Sequence, residues 1–172
     1  NLTLKGKCVS HEVDVMLKKE NLISMIECKF HSSREASSDV KVPMYILSRF
    51  NDLKAKQHTI FSNSETINSC IIVTNNRFTK DAESFANCSG INLLSWDYPK
   101  DDSIKSKIDK GELYPITCLT TLSMVEKEKL LILDQLLVKD LINDSHSLHK
   151  IGLSENRVRN VLKEASQICK LI

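Results

Sequence analysis

Between residues 4 and 30, apolar and polar positions run in two stretches, 4–17 and 22–30, separated by the polar run Lys18-Lys19-Glu20-Asn21. That layout predicts a β-hairpin closed by a four-residue loop. Side chains along a strand alternate between faces, so Glu12 shares a face with Asp14, and Glu27 shares one with Lys29. If Leu17 pairs with Leu22, Asp14 lies opposite Met25 and Glu27 is a diagonal neighbour roughly 7–8 Å away. His11 falls on the other face, beside Val13 and Val15, and reads as a hydrogen-bonded structural residue.

Further along, Ile46, Leu47, Phe50 and Leu53 recur at helical spacing and predict a helix over 43–57, with Pro43 tolerated in its first turn. Lys41, Tyr45, Arg49, Asp52 and Lys56 form a second stripe on that helix. The polar segment 31–39 before it reads as a loop at the mouth of the hairpin. Residues 68–74, NSCIIVT, form a short apolar run of the kind buried on both faces of a sheet. Thr79 caps a following helix that carries Asp81 in its first turn and ends at Gly90. Residues 91–96 return as a strand, and strand–helix–strand at this length predicts parallel pairing. The expected fold is α/β: a mixed central sheet, antiparallel on one side and parallel on the other, flanked by helices.

Beyond residue 98 the pattern changes. Residues 99–115 alternate Lys and Asp with few apolar groups and read as a boundary region, within a connecting segment expected over 99–122. Ser123 and Glu126 have capping-box spacing and open a helix predicted over 125–143, with Leu130, Leu133, Leu137 and Leu141 as its core stripe. The division expected is therefore 1–98, 99–122 and a helical segment over 123–172.

Composition narrows the class only a little. At 172 residues, 41% hydrophobic and 27% charged, the chain is ordinary for a globular protein. A net charge of +2 gives no global attraction for nucleic acid, so a basic surface would have to be local. Its six cysteines contain no C-x-x-C pair, which argues against zinc and for reduced thiols in a cytoplasmic protein. No apolar run reaches membrane-spanning length, and no signal peptide is visible. The chain starts at Asn1 rather than Met and reads as part of a longer protein.

The chemistry concentrates at Asp14, Glu27 and Lys29, two carboxylates and an ammonium on one face, which suit a hard divalent cation with a lysine beside it. An Asp on one strand followed by Glu-x-Lys on the next resembles the PD-(D/E)xK nuclease core. The longer match runs from Gly6 through HEVDV and IECKF to CIIVTNNRFTKDAESFANCSGINLLSW. It resembles the Mrr-type restriction endonucleases over about residues 5 to 98. The resemblance implies a Mg²⁺-dependent DNA endonuclease, with Mn²⁺ able to substitute. Asp14, Glu27 and the Cys28 carbonyl would hold the metal, and Lys29 would position or activate water. Val13 stands where the family name has proline, and the upstream helix that often supplies another Glu is not visible. The intact triad favours cleavage over the alternative, an inactive nuclease fold that binds DNA or a protein.

The C-terminal stretch SLHKIGLSENRVRNVLKEASQIC resembles a helix-hairpin-helix unit, with Ser154 where a second glycine is usual. That likeness implies phosphate contact, to which Arg157 and Arg159 would contribute charge. Lys41 and Arg49 are the candidate nucleic-acid contacts on the first helix. DNA is the expected partner; a homodimer and an upstream nucleotide-binding domain are further expectations of the resemblance.

Overall fold

Asp14 interrupts what the sequence presents as one strand. The structure, a computed structural model, describes residues 1–33, 35–61 and 64–169. In it the stretch expected to run unbroken over 4–17 becomes three strands: β1 (Leu2–Lys5), β2 (Ser10–Val13) and β3 (Val15–Lys19). β1 and β2 form a small antiparallel ribbon, while β3 pairs with β4 (Leu22–Lys29) in the main sheet. The hairpin turn holds two residues, not four, because Lys19 pairs with Leu22 and Glu20 adopts a left-handed φ of 54°. Leu17 therefore faces Ser24, and Met25 faces Met16 rather than Asp14.

The chain continues with β5 (Ser37–Ser38), α1 (Lys41–Lys54), β6 (Gln57–Thr59), β7 (Ser64–Thr66), β8 (Ser69–Thr74), β9 (Arg77–Phe78), α2 (Lys80–Ser89) and β10 (Asn92–Leu94). The main sheet has the order β10-β8-β4-β3, with β10, β8 and β4 parallel and β3 antiparallel. The fold class is thus α/β with a mixed central sheet and flanking helices, as the patterning predicts. β5 lies within the stretch read as a loop and pairs with β9; Arg34 of that stretch is outside the described residues.

α1 starts two residues earlier and ends three earlier than the periodicity suggests. Its Ile46, Phe50 and Leu53 are buried at helical spacing, with Leu47 at the margin. The helix packs against α2 and β8. Met25, Ile46, Leu53, Ile67 and Ile72 are fully buried in the core beneath. Each contributes about 1.5–3 kcal/mol by leaving water. α2 is capped by Thr79, whose hydroxyl accepts from the Ala82 amide, and closes at Gly90, φ 74°.

A second unit begins at Lys105, after a first unit spanning Asn1–Ile104. This corrects the reading of 99–122 as a mere connector. α3 (Ile104–Gly111) and a 3₁₀ turn (Ile116–Cys118) lie there, and Ile116, Leu119 and Leu122 are buried in the second unit's own core. Three apolar residues spaced by three are enough to anchor a segment that looks polar on average.

The helix expected over 125–143 is two helices, α4 (Met124–Ile132) and α5 (Val138–Asn143). Between them Asp134 takes φ 56°, and the chain swings back onto residues 114–116. There Ile116 donates to the Leu136 carbonyl and Val138 to that of Tyr114. Leu130 and Leu141 stay in the core, but Leu133 is left exposed. The capping box of Ser123 and Glu126 forms as expected. α6 (His146–Lys150), a turn at Gly152 (φ 90°) and α7 (Glu155–Cys169) complete the unit.

Candidate active site

The kink at Asp14 has a local cause and a local effect. Val13 is fully buried under the β1–β2 ribbon, whereas Val15 is already in register with Ile26 of the main sheet. Asp14 sits at the crossing, and its Oδ2 accepts the Cys28 backbone N–H at 2.7 Å. That bond ties the first carboxylate to the strand carrying Glu27 and Lys29.

Glu27 is 5% exposed, and a buried carboxylate must be compensated. Two cations do so. Lys29 Nζ donates to Oε1 at 2.6 Å, and Arg49 Nη1 donates to Oε2 at 2.9 Å. Arg49 comes from α1, also donates to the Glu12 carbonyl, and lies over the Tyr45 ring at 5.5 Å. His11, Glu12, Asp14, Glu27, Lys29 and Arg49 line one cleft of ≈ 350 Å³. The three residues of the sequence pattern are therefore together, although the register that brings them there differs from the one expected.

His11 is hydrogen-bonded, as expected of a structural residue. Its Nε2 lies 2.7 Å from Asp52 Oδ2, and Asp52 also accepts the Cys8 and Val9 backbone amides. The His11 bond, with those amides, holds the Asp52 carboxyl well below the usual carboxylate range. Gly6 is needed beside it: a Cβ there would lie 2.1 Å from Asp52 Oδ2. Burial, then the Asp14 and Glu27 charges, push the Cys28 thiol up.

The donor chemistry suits a hard divalent cation. An ionised carboxylate has about four lone-pair positions. Asp14 commits one to the Cys28 amide, and Glu27 commits one on each oxygen. Among the described residues, no three His, Cys, Asp or Glu side chains gather as a metal cage. The protein can offer two carboxylates and a main-chain carbonyl, which is how Mg²⁺ is commonly held, with water and substrate oxygens completing its shell.

Arg49 corrects the sequence reading. It is 9% exposed and serves Glu27 and the Glu12 carbonyl, so it is no outward phosphate contact. Tyr45 and Asp52 of the same stripe also face this end of the molecule's first unit; the helical spacing carried that information, and burial decided its meaning. Lys41 is exposed, 3.9 Å from Asp39. In the second unit, Arg157 donates to the Thr121 carbonyl and to Glu126, which makes it largely a fold contact. Arg159 is exposed and bonded to Asn156. Glu164 accepts from both backbone amides and both hydroxyls of Thr120 and Thr121.

Fold and site define a two-part protein, a mixed α/β unit with a carboxylate–lysine cleft followed by a helical unit. Residues 114–169 match the family AF1548-like, C-terminal. An uncharacterized protein of Archaeoglobus fulgidus is 32% identical over 175 residues, spanning 98% of this chain and 91% of its own. The crystal structure of AF1548, a protein of unknown function, aligns at a TM-score of 0.63 and 30% identity, covering 98% of this chain and 86% of that one. The chain belongs to the AF1548-like family. Among the described residues, no helix is long and apolar enough to cross a membrane.

Proposed function

We propose that the chain is a metal-dependent endonuclease of the PD-(D/E)xK type, Mrr-like, that hydrolyses DNA phosphodiester bonds in the cytoplasm. The observation supporting it is the convergence of Asp14, buried Glu27 and Lys29 in one open, polar cleft. Asp14, Glu27 and the Cys28 carbonyl would hold Mg²⁺, or Mn²⁺ in its place. Bound there, the ion supplies charge against the phosphate and acidifies a water molecule. Lys29 spends one ammonium N–H on Glu27 and keeps two for water or a phosphate oxygen. Arg49 grips Glu27 from the helix side, so the carboxylate is fixed in place before substrate arrives.

A second reading has its own support. Each Glu27 oxygen already takes an N–H from a cation, as in a self-neutralised cluster of a non-cleaving DNA- or protein-binding module. Plasmid nicking with Mg²⁺ or Mn²⁺ separates the two. The nuclease reading expects nicking by wild type and a loss of about 10²-fold or more in Lys29→Ala, with DNA binding kept. It also expects Mn²⁺ to raise the melting temperature of wild type but hardly that of Asp14→Asn. Wild type that binds DNA without nicking it under either ion is a binding module.

A further inference from the structure

The parallel strands β4, β8 and β10 all end on one side of the sheet, and a cleft of ≈ 590 Å³ opens there. Such strand ends are where open α/β sheets accept ligands. The walls are preformed. Asn75 accepts the His31 backbone amide and donates back to the His31 carbonyl, both at 2.8 Å. Asn76 donates to the Ser33 carbonyl at 2.8 Å and accepts the Trp96 backbone amide at 3.2 Å. Into this cleft the chain puts two large aromatic side chains that the core does not use: Phe30 is 80% exposed and Trp96 is 47% exposed. Leaving a ring such as Phe30 in water forgoes the stabilisation its burial would bring. Arg77 lines the same cleft and faces solvent. Asp97, its carboxylate held by the Ser95 hydroxyl at 3.1 Å, supplies an acceptor.

Flat π-faces, a cation, side-chain amides and one carboxylate are the groups that receive an unstacked nucleobase and its phosphate. Phe30 directly follows Lys29, so the cleft begins where the strand that carries the proposed catalytic lysine ends. We infer that this cleft stacks an unpaired base of the DNA, making the preferred substrate one with single-stranded character near the cut. The inference rests on the nuclease reading for its substrate. Asp97 disfavours a bare phosphate there but can accept from a base N–H, which favours a nucleotide over a simple anion.

Trp96 is the only tryptophan of the chain, so its emission reports on the cleft directly. A thymine oligonucleotide should quench it to saturation, and a blunt duplex of equal length should not. Phe30→Ala should weaken oligonucleotide affinity by about tenfold, the loss of one stacked base, and Phe30→Tyr should restore it. Unchanged emission while a labelled oligonucleotide demonstrably binds overturns the inference, as does equal quenching by duplex. Thymidine monophosphate saturating at lower concentration than the oligonucleotide would reassign the cleft to free nucleotides and overturn it too. Quenching without plasmid nicking would instead sink the nuclease reading and leave base stacking standing. Nicking with silent Trp96 would do the reverse.

Discussion

At the scale of single residues, Glu27 governs the site because burial makes it expensive and two cations make it tolerable. Their contributions are separable. Arg49 lies on the buried side, so Arg49→Met strands a carboxylate and should cost about 3–5 kcal/mol in chemical denaturation. Lys29 is partly exposed, 34% by side chain, and water can replace it; Lys29→Ala should cost under about 1 kcal/mol. Equal losses would mean that the two cations share the load. Cys28 offers a second readout at the same place. Cys28 is exposed, but partial desolvation and the Asp14 and Glu27 charges raise its thiol pKa, so alkylation should be slow for an accessible cysteine. Asp14→Asn removes one of those charges and should speed it, as mass-mapped iodoacetamide labelling would record. These residues were legible in sequence as a pattern, Asp then Glu-x-Lys. Arg49 as Glu27's partner was not, because a helical stripe does not say which of its members burial will claim.

At the scale of elements, the sequence carried types better than boundaries. The caps at Thr79, Gly90 and Ser123 were readable because each depends on one or two local residues. The break between α4 and α5 was hidden. Leucines at helical spacing run straight through it, and only the long-range bonds of Leu136 and Val138 to residues 114–116 decide otherwise. The β6–β7 hairpin is hidden for a similar reason, since His58 is the one buried residue of its two strands. One tertiary tie makes a sharp prediction. Burial acts to raise the Glu164 pKa, but the hydroxyls and amides of Thr120 and Thr121 outweigh it and hold the carboxyl at about 2. A carboxyl depressed in the folded state stabilises fully above its ordinary value of 4.5 and progressively less as pH falls toward 2. Allowing for solvent screening, the stabilisation is about 1–2 kcal/mol. Glu164→Gln should therefore lower the melting temperature at pH 7, and the gap to wild type should shrink as pH is lowered from 5 to about 2. A gap independent of pH would assign the effect to shape alone.

At the scale of the molecule, the chain carries two separate hydrophobic cores, one ending with Leu93 and one beginning with Ile116. The family match over 114–169 follows the second core alone. Each core is large enough to unfold cooperatively, so calorimetry should resolve two transitions rather than one. Arg49→Met should then shift one transition and Glu164→Gln the other. A single transition moved by both substitutions would show that the cores are thermodynamically one.

The kink at Asp14 has a consequence for solubility as well. Among the described residues β3 is the outermost strand of its sheet, with no strand paired on its far side, the kind of edge that can template pairing with another chain. A straight strand through residues 10–19 would double that sticky margin. By turning away at Asp14 the chain limits it to the five residues of β3, of which Lys19 would repel an identical neighbour laid alongside, while Lys18 is paired with Glu65. The bend that delivers a carboxylate to the cleft thus also guards against the edge-to-edge stacking from which fibrils grow.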